Sequence, residues 1–125
     1  MRERNLLTRV EFQIMHYLWG MPNQCAYTGD ILKCYDDPKP AYTTIATFLK
    51  ILESKGYIVS VRQGHKLYYK PTLTRQEYAA TALAQAKDFY FDGSLMDMMR
   101  FFLADEKITK QDASELIKLI REKRD

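Results

Sequence analysis

Between Ala41 and Lys70 the chain reads AYTTIATFLKILESKGYIVSVRQGHKLYYK, a helical pattern running through a glycine into two short strand patterns. On a helical wheel centred on Ile45, residues Phe48, Leu49 and Leu52 fall within about 60°, the apolar stripe of a helix packed on a core. Thr43, Thr47, Lys50 and Ser54 lie on the opposite side. That face is short, hydrogen-bonding and free of carboxylates, whereas an exposed helix face usually mixes both charge signs. A face that enters the major groove of DNA has a reason to exclude acid. It approaches a polyanion closely and offers hydroxyls and an ammonium to base edges and phosphates.

The residues after the helix agree with that reading. Lys55-Gly56 places a cation in the last turn and then a glycine able to take a left-handed cap conformation. Tyr57 to Val61 and Leu67 to Tyr69 are β-branched or aromatic runs, and the segment Arg62-Gln63-Gly64-His65-Lys66 between them makes a hairpin. This connection carries two permanent cations, a histidine and no acid. Helix, glycine, strand, basic turn, strand is the order of a winged helix-turn-helix. The bland alternative is an ordinary α+β fragment whose basic turn is merely solvated.

The flanking residues fit around this unit. Leu7 to Trp19 reads as a helix capped by Thr8 with Glu11 at the capping-box position, and Val10, Ile14, Tyr17 and Leu18 as its inner stripe. Gly20 to Asn23 ends it. Thr28 to Tyr35 reads as a short second helix with Ile31 and Leu32 inside, and Asp36 to Pro40 as the turn that follows. The expected fold class is mainly α with a small β-hairpin (α+β): a winged helix-turn-helix head over residues 1–73 and a three-helix dimerisation region over 74–125.

Composition bounds the function classes. The chain has 125 residues, 46% hydrophobic and 28% charged, as in an ordinary folded protein. No run approaches the ~20 apolar residues of a membrane span, so no membrane insertion of its own is expected, and the expected location is cytoplasmic. Cys25 and Cys34 make neither a disulfide framework nor a zinc site, and are expected to be reduced and half-buried. Residues 1–73 hold ten Lys/Arg against six acids, a net +4, while residues 74–125 hold nine against ten, a net −1. The basic surplus thus lies in the half expected to meet DNA.

The C-terminal half is apolar beyond what it can bury. Thr74 with Glu77 starts a helix running through Tyr78, Ala82, Leu83, Ala86 and Phe89, and Asp92-Gly93-Ser94 breaks it. Ser94 to Leu103 is apolar on nearly every side. Thr109 with Asp112 caps a last helix whose stripe is Ala113, Leu116, Ile117 and Ile120. Three such helices need cover, and a second copy of the chain supplies it most simply. The expected interface residues are Leu83, Leu95, Met98, Met99, Phe102, Leu116, Ile117 and Ile120. The methionines read as packing rather than as a soft-metal site, since no Cys or His stands near them. Two heads related by a two-fold would read a palindrome with half-sites about one helical turn apart.

Enzymatic readings find no residues to work with. There is no Gly-rich phosphate loop, no H-E-x-x-H and no nucleophile–base set; His16 reads as a boundary side chain and Glu11 as a cap. No catalytic residue, cofactor or metal is expected. Two other binding readings stay open. One is a ligand-sensing winged-helix regulator with a pocket lined by Phe89 to Phe91 and Met96 to Phe102, for which only Arg100 and Asp97 offer polar anchors. The other is a winged-helix module that binds protein. Salt separates these from a DNA binder, whose affinity falls steeply with ionic strength.

Thr8 to Trp19 (TRVEFQIMHYLW) resembles the opening helix of the BlaI/MecI penicillinase repressors, with their T-x-x-E-x-x-I-M-x-x-L-W pattern. Ala41 to Thr47, then Leu49, Leu52 and Lys55-Gly56-Tyr57, resembles the family's recognition helix and exit, and Tyr68-Tyr69 before Pro71 its wing strand. The likeness runs from about residue 7 to 122. It implies a winged-helix dimer that represses transcription from a double-stranded DNA operator. It also implies a membrane-bound metalloprotease sensor as partner, relieving repression by cleavage in the dimerisation half. Carried over by position, Thr43, Thr44, Ala46 and Thr47 lie where the family touches bases. Lys50 sits one turn on, and Arg62, Gln63, His65 and Lys66 form the wing against the phosphates. Ala46 departs from the longer polar side chains of the best-known members, and its methyl could pack on a thymine C5-methyl instead. The family's cleavage point aligns near Phe101-Phe102. The Cys-x-Cys pair of the copper-responsive branch has no counterpart in Glu115 to Asp125.

Overall fold

The structure, a computed structural model, describes residues 6–104 and 108–124. It is mainly helical with one small antiparallel sheet. The chain divides into two compact units, residues 1–80 and 81–125, and one long helix passes from the first into the second.

The first unit opens with α1 (Arg9–Trp19). Thr8 Oγ1 accepts the Glu11 N–H while Glu11 Oε1 accepts the Thr8 N–H, the reciprocal capping box. The buried arc of α1 is Glu11, Ile14, Met15, Leu18 and Trp19, whereas Val10 is 46% exposed and Tyr17 only half-buried. The stripe is therefore turned toward the Glu11 side of the expected one. Met15 and Trp19 are buried on that side, and Lys55 Nζ reaches both Glu11 carboxylate oxygens at 2.9 and 2.8 Å, which satisfies the buried charge. Burial pushes the Glu11 carboxyl up, but the Lys55 ammonium and the bonds from Thr8 outweigh it, and the group stays below the ordinary glutamate range.

A 3-10 turn (Pro22–Gln24) leads to β1 (Ala26–Tyr27), and neither was expected from the sequence. The second helix, α2 (Thr28–Leu32), stops three residues short of the expected Tyr35, because Cys34 and Tyr35 bond to carbonyls only three residues back. Ile31 is buried and Leu32 half-buried. α3 (Tyr42–Ser54) buries Ile45, Leu49 and Leu52 fully, with Phe48 half-buried beside them. Gly56, at φ 87°, ends it in the left-handed conformation, and the Tyr57 N–H bonds back to the Leu52 carbonyl.

β2 (Ile58–Gln63) and β3 (Lys66–Pro71) pair antiparallel with Gln63 opposite Lys66, so the turn is only Gly64-His65. The expected connection, Arg62 to Lys66, is thus mostly strand: Arg62, Gln63 and Lys66 stand on the ladder. Gly64 takes φ 64° and His65 does not, as in a type II′ turn, whose twist matches that of paired strands. β1 adds to the far edge of β3, pairing Ala26 with Tyr69 and Tyr27 with Tyr68, and gives the order β1-β3-β2. Ile14, Met15, Leu18, Ala26, Ile31, Ile58 and Tyr57 complete this unit's core with the α3 stripe.

α4 (Arg75–Phe91) begins in this unit with its own capping box between Thr74 and Glu77. Tyr78 anchors its first turn: the ring lies about 6 Å from Phe12, Trp19 and Tyr57, and its hydroxyl accepts the Leu7 N–H at 3.0 Å. Trp19 donates to the Leu73 carbonyl, and the Arg75 guanidinium covers the indole and reaches His16 Nδ1 at 3.0 Å. His16 is accordingly an exposed surface partner on α1.

The second unit holds the rest of α4, then α5 (Leu95–Ala104) and α6 (Lys110–Arg124). Asp92 and Gly93, at φ 49° and 82°, make the break, Ser94 caps α5 through the Asp97 N–H, and Thr109 caps α6 with Asp112. Among the described residues, Met98 is the one large side chain of this unit that is buried.

Candidate nucleic-acid interface

α3 presents an uncapped start. Ala41 gives no side-chain bond to the first turn and no acid stands there, so the positive end of the helix dipole is left unneutralised. Thr43, Thr44, Thr47 and Lys50 are exposed, and Ala46 is half-buried. Among the described residues Lys50 forms no ion pair. Glu53, the one carboxylate of α3, accepts the Ser60 hydroxyl at 2.7 Å and is tied to β2. Thr47 Oγ1 donates to the Thr43 carbonyl one turn back at 2.8 Å. With its proton committed, that hydroxyl offers lone pairs, which suits the exocyclic amines of adenine or cytosine.

On the wing, Arg62, Gln63, His65 and Lys66 are all exposed. Tyr42 and Ala46 of α3 face Arg62, His65 and Lys66 of the wing across an open cleft of about 390 Å³, which Tyr27 of β1 also lines. The structure therefore gathers Ala46 and three of the four wing residues around one space. Thr43, Thr44, Thr47, Lys50 and Gln63 lie outside the cleft. Tyr69 lines it as well, and burial, with Glu53 and Tyr42 nearby, pushes its hydroxyl above the usual tyrosine range, so it stays neutral.

Sequence reasoning missed five residues of this cleft: Tyr27, Thr28, Tyr42, Leu67 and Tyr69. Tyr42 was legible, since it lies four residues before Ala46 and so on the same helix face. Tyr27 was not, because only the pairing of β1 with β3, some forty residues away in sequence, brings it there.

The expected interface residues in the second unit divide in two. Leu83, Leu95, Phe102, Ile117 and Ile120 are 45 to 58% exposed, and Met99 and Leu116 are half-buried. Met98 differs: at 7% exposure it is already covered within one chain. Leu83, Ala86, Tyr90, Phe91, Met98, Phe101 and Phe102 enclose an apolar groove of about 540 Å³. The expected polar anchors do not reach it: Asp97 and Arg100 pair with each other at 2.8 Å on the exposed side. Phe101 and Phe102 lie inside α5, in helical backbone. Cys25 and Cys34 are free and half-buried, as expected.

A family model described as penicillinase repressor matches residues 7–122. The penicillinase repressor of Bacillus licheniformis is 20% identical over 117 residues, spanning 93% of this chain and 90% of that protein. Among solved structures, a chain of Bordetella bronchiseptica BpsR, described for the mechanism by which 6-hydroxynicotinic acid regulates its DNA binding, aligns with a TM-score of 0.45 and 14% identity. The match spans 93% of this chain and 74% of that one.

Proposed function

The chain belongs to the penicillinase repressor family, whose members are transcriptional repressors and not enzymes, and from that premise we propose that it binds a palindromic DNA operator as a homodimer. α3 reads the major groove through Thr43, Thr44, Ala46, Thr47 and Lys50, and Arg62, Gln63, His65 and Lys66 of the wing meet the phosphates. One observation carries this reading: α3 presents an exposed, acid-free face, and its Tyr42 and Ala46 share a cleft with the three basic side chains of the hairpin, Arg62, His65 and Lys66. Such a protein works where the DNA is, in the cytoplasm, and no described helix is long and apolar enough to cross a membrane.

The second unit supplies the symmetry. Its exposed apolar side chains, from Leu83 to Ile120, are of the kind that a second copy covers. Repression is relieved by cutting near Phe101-Phe102 by a membrane-bound metalloprotease sensor. Because that bond sits within α5, the helix has to unwind locally before a protease can hold it as an extended strand. A second reading, a small apolar effector in the groove beside Met98, draws on the groove's volume and apolar lining.

A mobility-shift titration against the DNA upstream of the protein's own gene, with random DNA as competitor, tests the function. A shift at nanomolar protein to a dimer-sized complex, weakened steeply by salt, is the expected result. Sequence-blind binding at all salts would sink the operator reading.

A further inference from the structure

Lys66 is the wing cation nearest the hairpin turn on β3, and its position follows from strand register. Tyr27 pairs with Tyr68, and Lys66 lies two residues before Tyr68, so Tyr27 and Lys66 are diagonal neighbours on one face of the sheet. Lys66 Nζ stands 4.0 Å from the centroid of the Tyr27 ring, within cation–π range. Tyr68 meets that ring edge-on with centroids 5.8 Å apart. The ring also rests on α2: a Cβ on Gly29 would lie 2.7 Å from Tyr27 Cε2 and 3.0 Å from Cζ. Gly29 has no positive φ to explain it, so the room it leaves for the ring is its structural role.

We infer that the cleft between α3 and the wing seats a backbone phosphate of bound DNA, that Lys66 is its cation, and that Tyr27 is the positioning residue that holds this cation in place. The inference rests on the repressor reading above and adds residues that reading does not use. A free lysine loses rotamer freedom when it settles on a phosphate; one already held over a ring loses less. Gly29, Tyr27 and Lys66 thus form a relay from α2 to the wing, and Tyr42 and Arg62 border the same space. Because a phosphate contact is blind to sequence, the effect is the same on operator and random DNA.

The experiment measures binding of the full-length protein to a random-sequence duplex across a salt series, with thermal unfolding as the folding control. Lys66→Met is expected to lower the slope of log affinity against log salt by about one. Tyr27→Leu and Gly29→Ala are expected to weaken binding by roughly two- to tenfold, the range for freeing one long side chain. Tyr27→Phe, which keeps the ring, retains wild-type affinity, and in the Lys66→Met background neither Tyr27→Leu nor Gly29→Ala weakens binding further. Gly29→Ala serves should Tyr27→Leu unfold, since alanine suits a helix and only the ring has to move. An unchanged salt slope for Lys66→Met overturns the phosphate seat, and an undiminished Tyr27→Leu effect in the Lys66→Met background overturns the positioning role. A wild-type chain that binds no DNA would instead sink the repressor reading itself.

Discussion

Glu11 caps α1 and also accepts the Lys55 ammonium from the end of α3, so one carboxylate joins two helices in the head. Its pKa lies below the ordinary glutamate value in the folded state, so its contribution to stability is fully present above that ordinary value. That contribution fades as pH falls through the folded-state pKa. Glu11→Gln should therefore cost about 1.5–3 kcal/mol in urea unfolding at neutral pH, and the difference from wild type should shrink in acid. A difference that persists unchanged at low pH would show that packing, not charge, holds the side chain. Lys50, in contrast, is exposed and forms no ion pair among the described residues. Lys50→Ala should leave stability unchanged and weaken operator binding by about 1–3 kcal/mol if it reads a guanine. An equal loss on random DNA in the same titration would assign it to phosphate.

Elements in this chain were legible wherever the signal was local. Thr8 with Glu11, Thr74 with Glu77 and Thr109 with Asp112 all announced helix starts, because a capping box is a contact between residues three apart. Gly56 announced the end of α3 for a similar reason. A Cβ there would meet nothing within 4 Å, so Gly56→Ala isolates the backbone cost of φ 87°. Thermal or denaturant unfolding should show a loss of about 1–2 kcal/mol with DNA contacts untouched. Little or no loss would mean that the turn relaxes to another conformation. The elements that local reading missed are β1 and the tight hairpin end. Two residues of strand carry no periodicity, and Arg62 and Lys66 look like loop because their charge, not their pairing, dominates the sequence.

At the scale of the molecule, the head closes its own core while the second unit leaves large apolar side chains in water, among them Leu95, Phe101, Phe102 and Ile117 at 45 to 58% exposure. Replacing Met99 or Phe102 with Asp would place a charge in the proposed interface, where desolvation is costly. Sedimentation should then report a monomer, and DNA affinity should fall as two heads become one. A variant that still sediments as a dimer would put the interface elsewhere. The sequence by itself determined the helix starts, the acid-free face of α3, the hairpin and the surplus of apolar surface after residue 74. Each rests on residues close in the chain, where spacing maps directly onto a face or a cap. Only the tertiary structure decided that Glu11 turns inward to Lys55, that Met98 lies beneath the surface, and that Tyr27 stands under Lys66. Those depend on pairings between residues roughly forty apart, or on what neighbouring helices cover, and neither leaves a periodic trace in the chain.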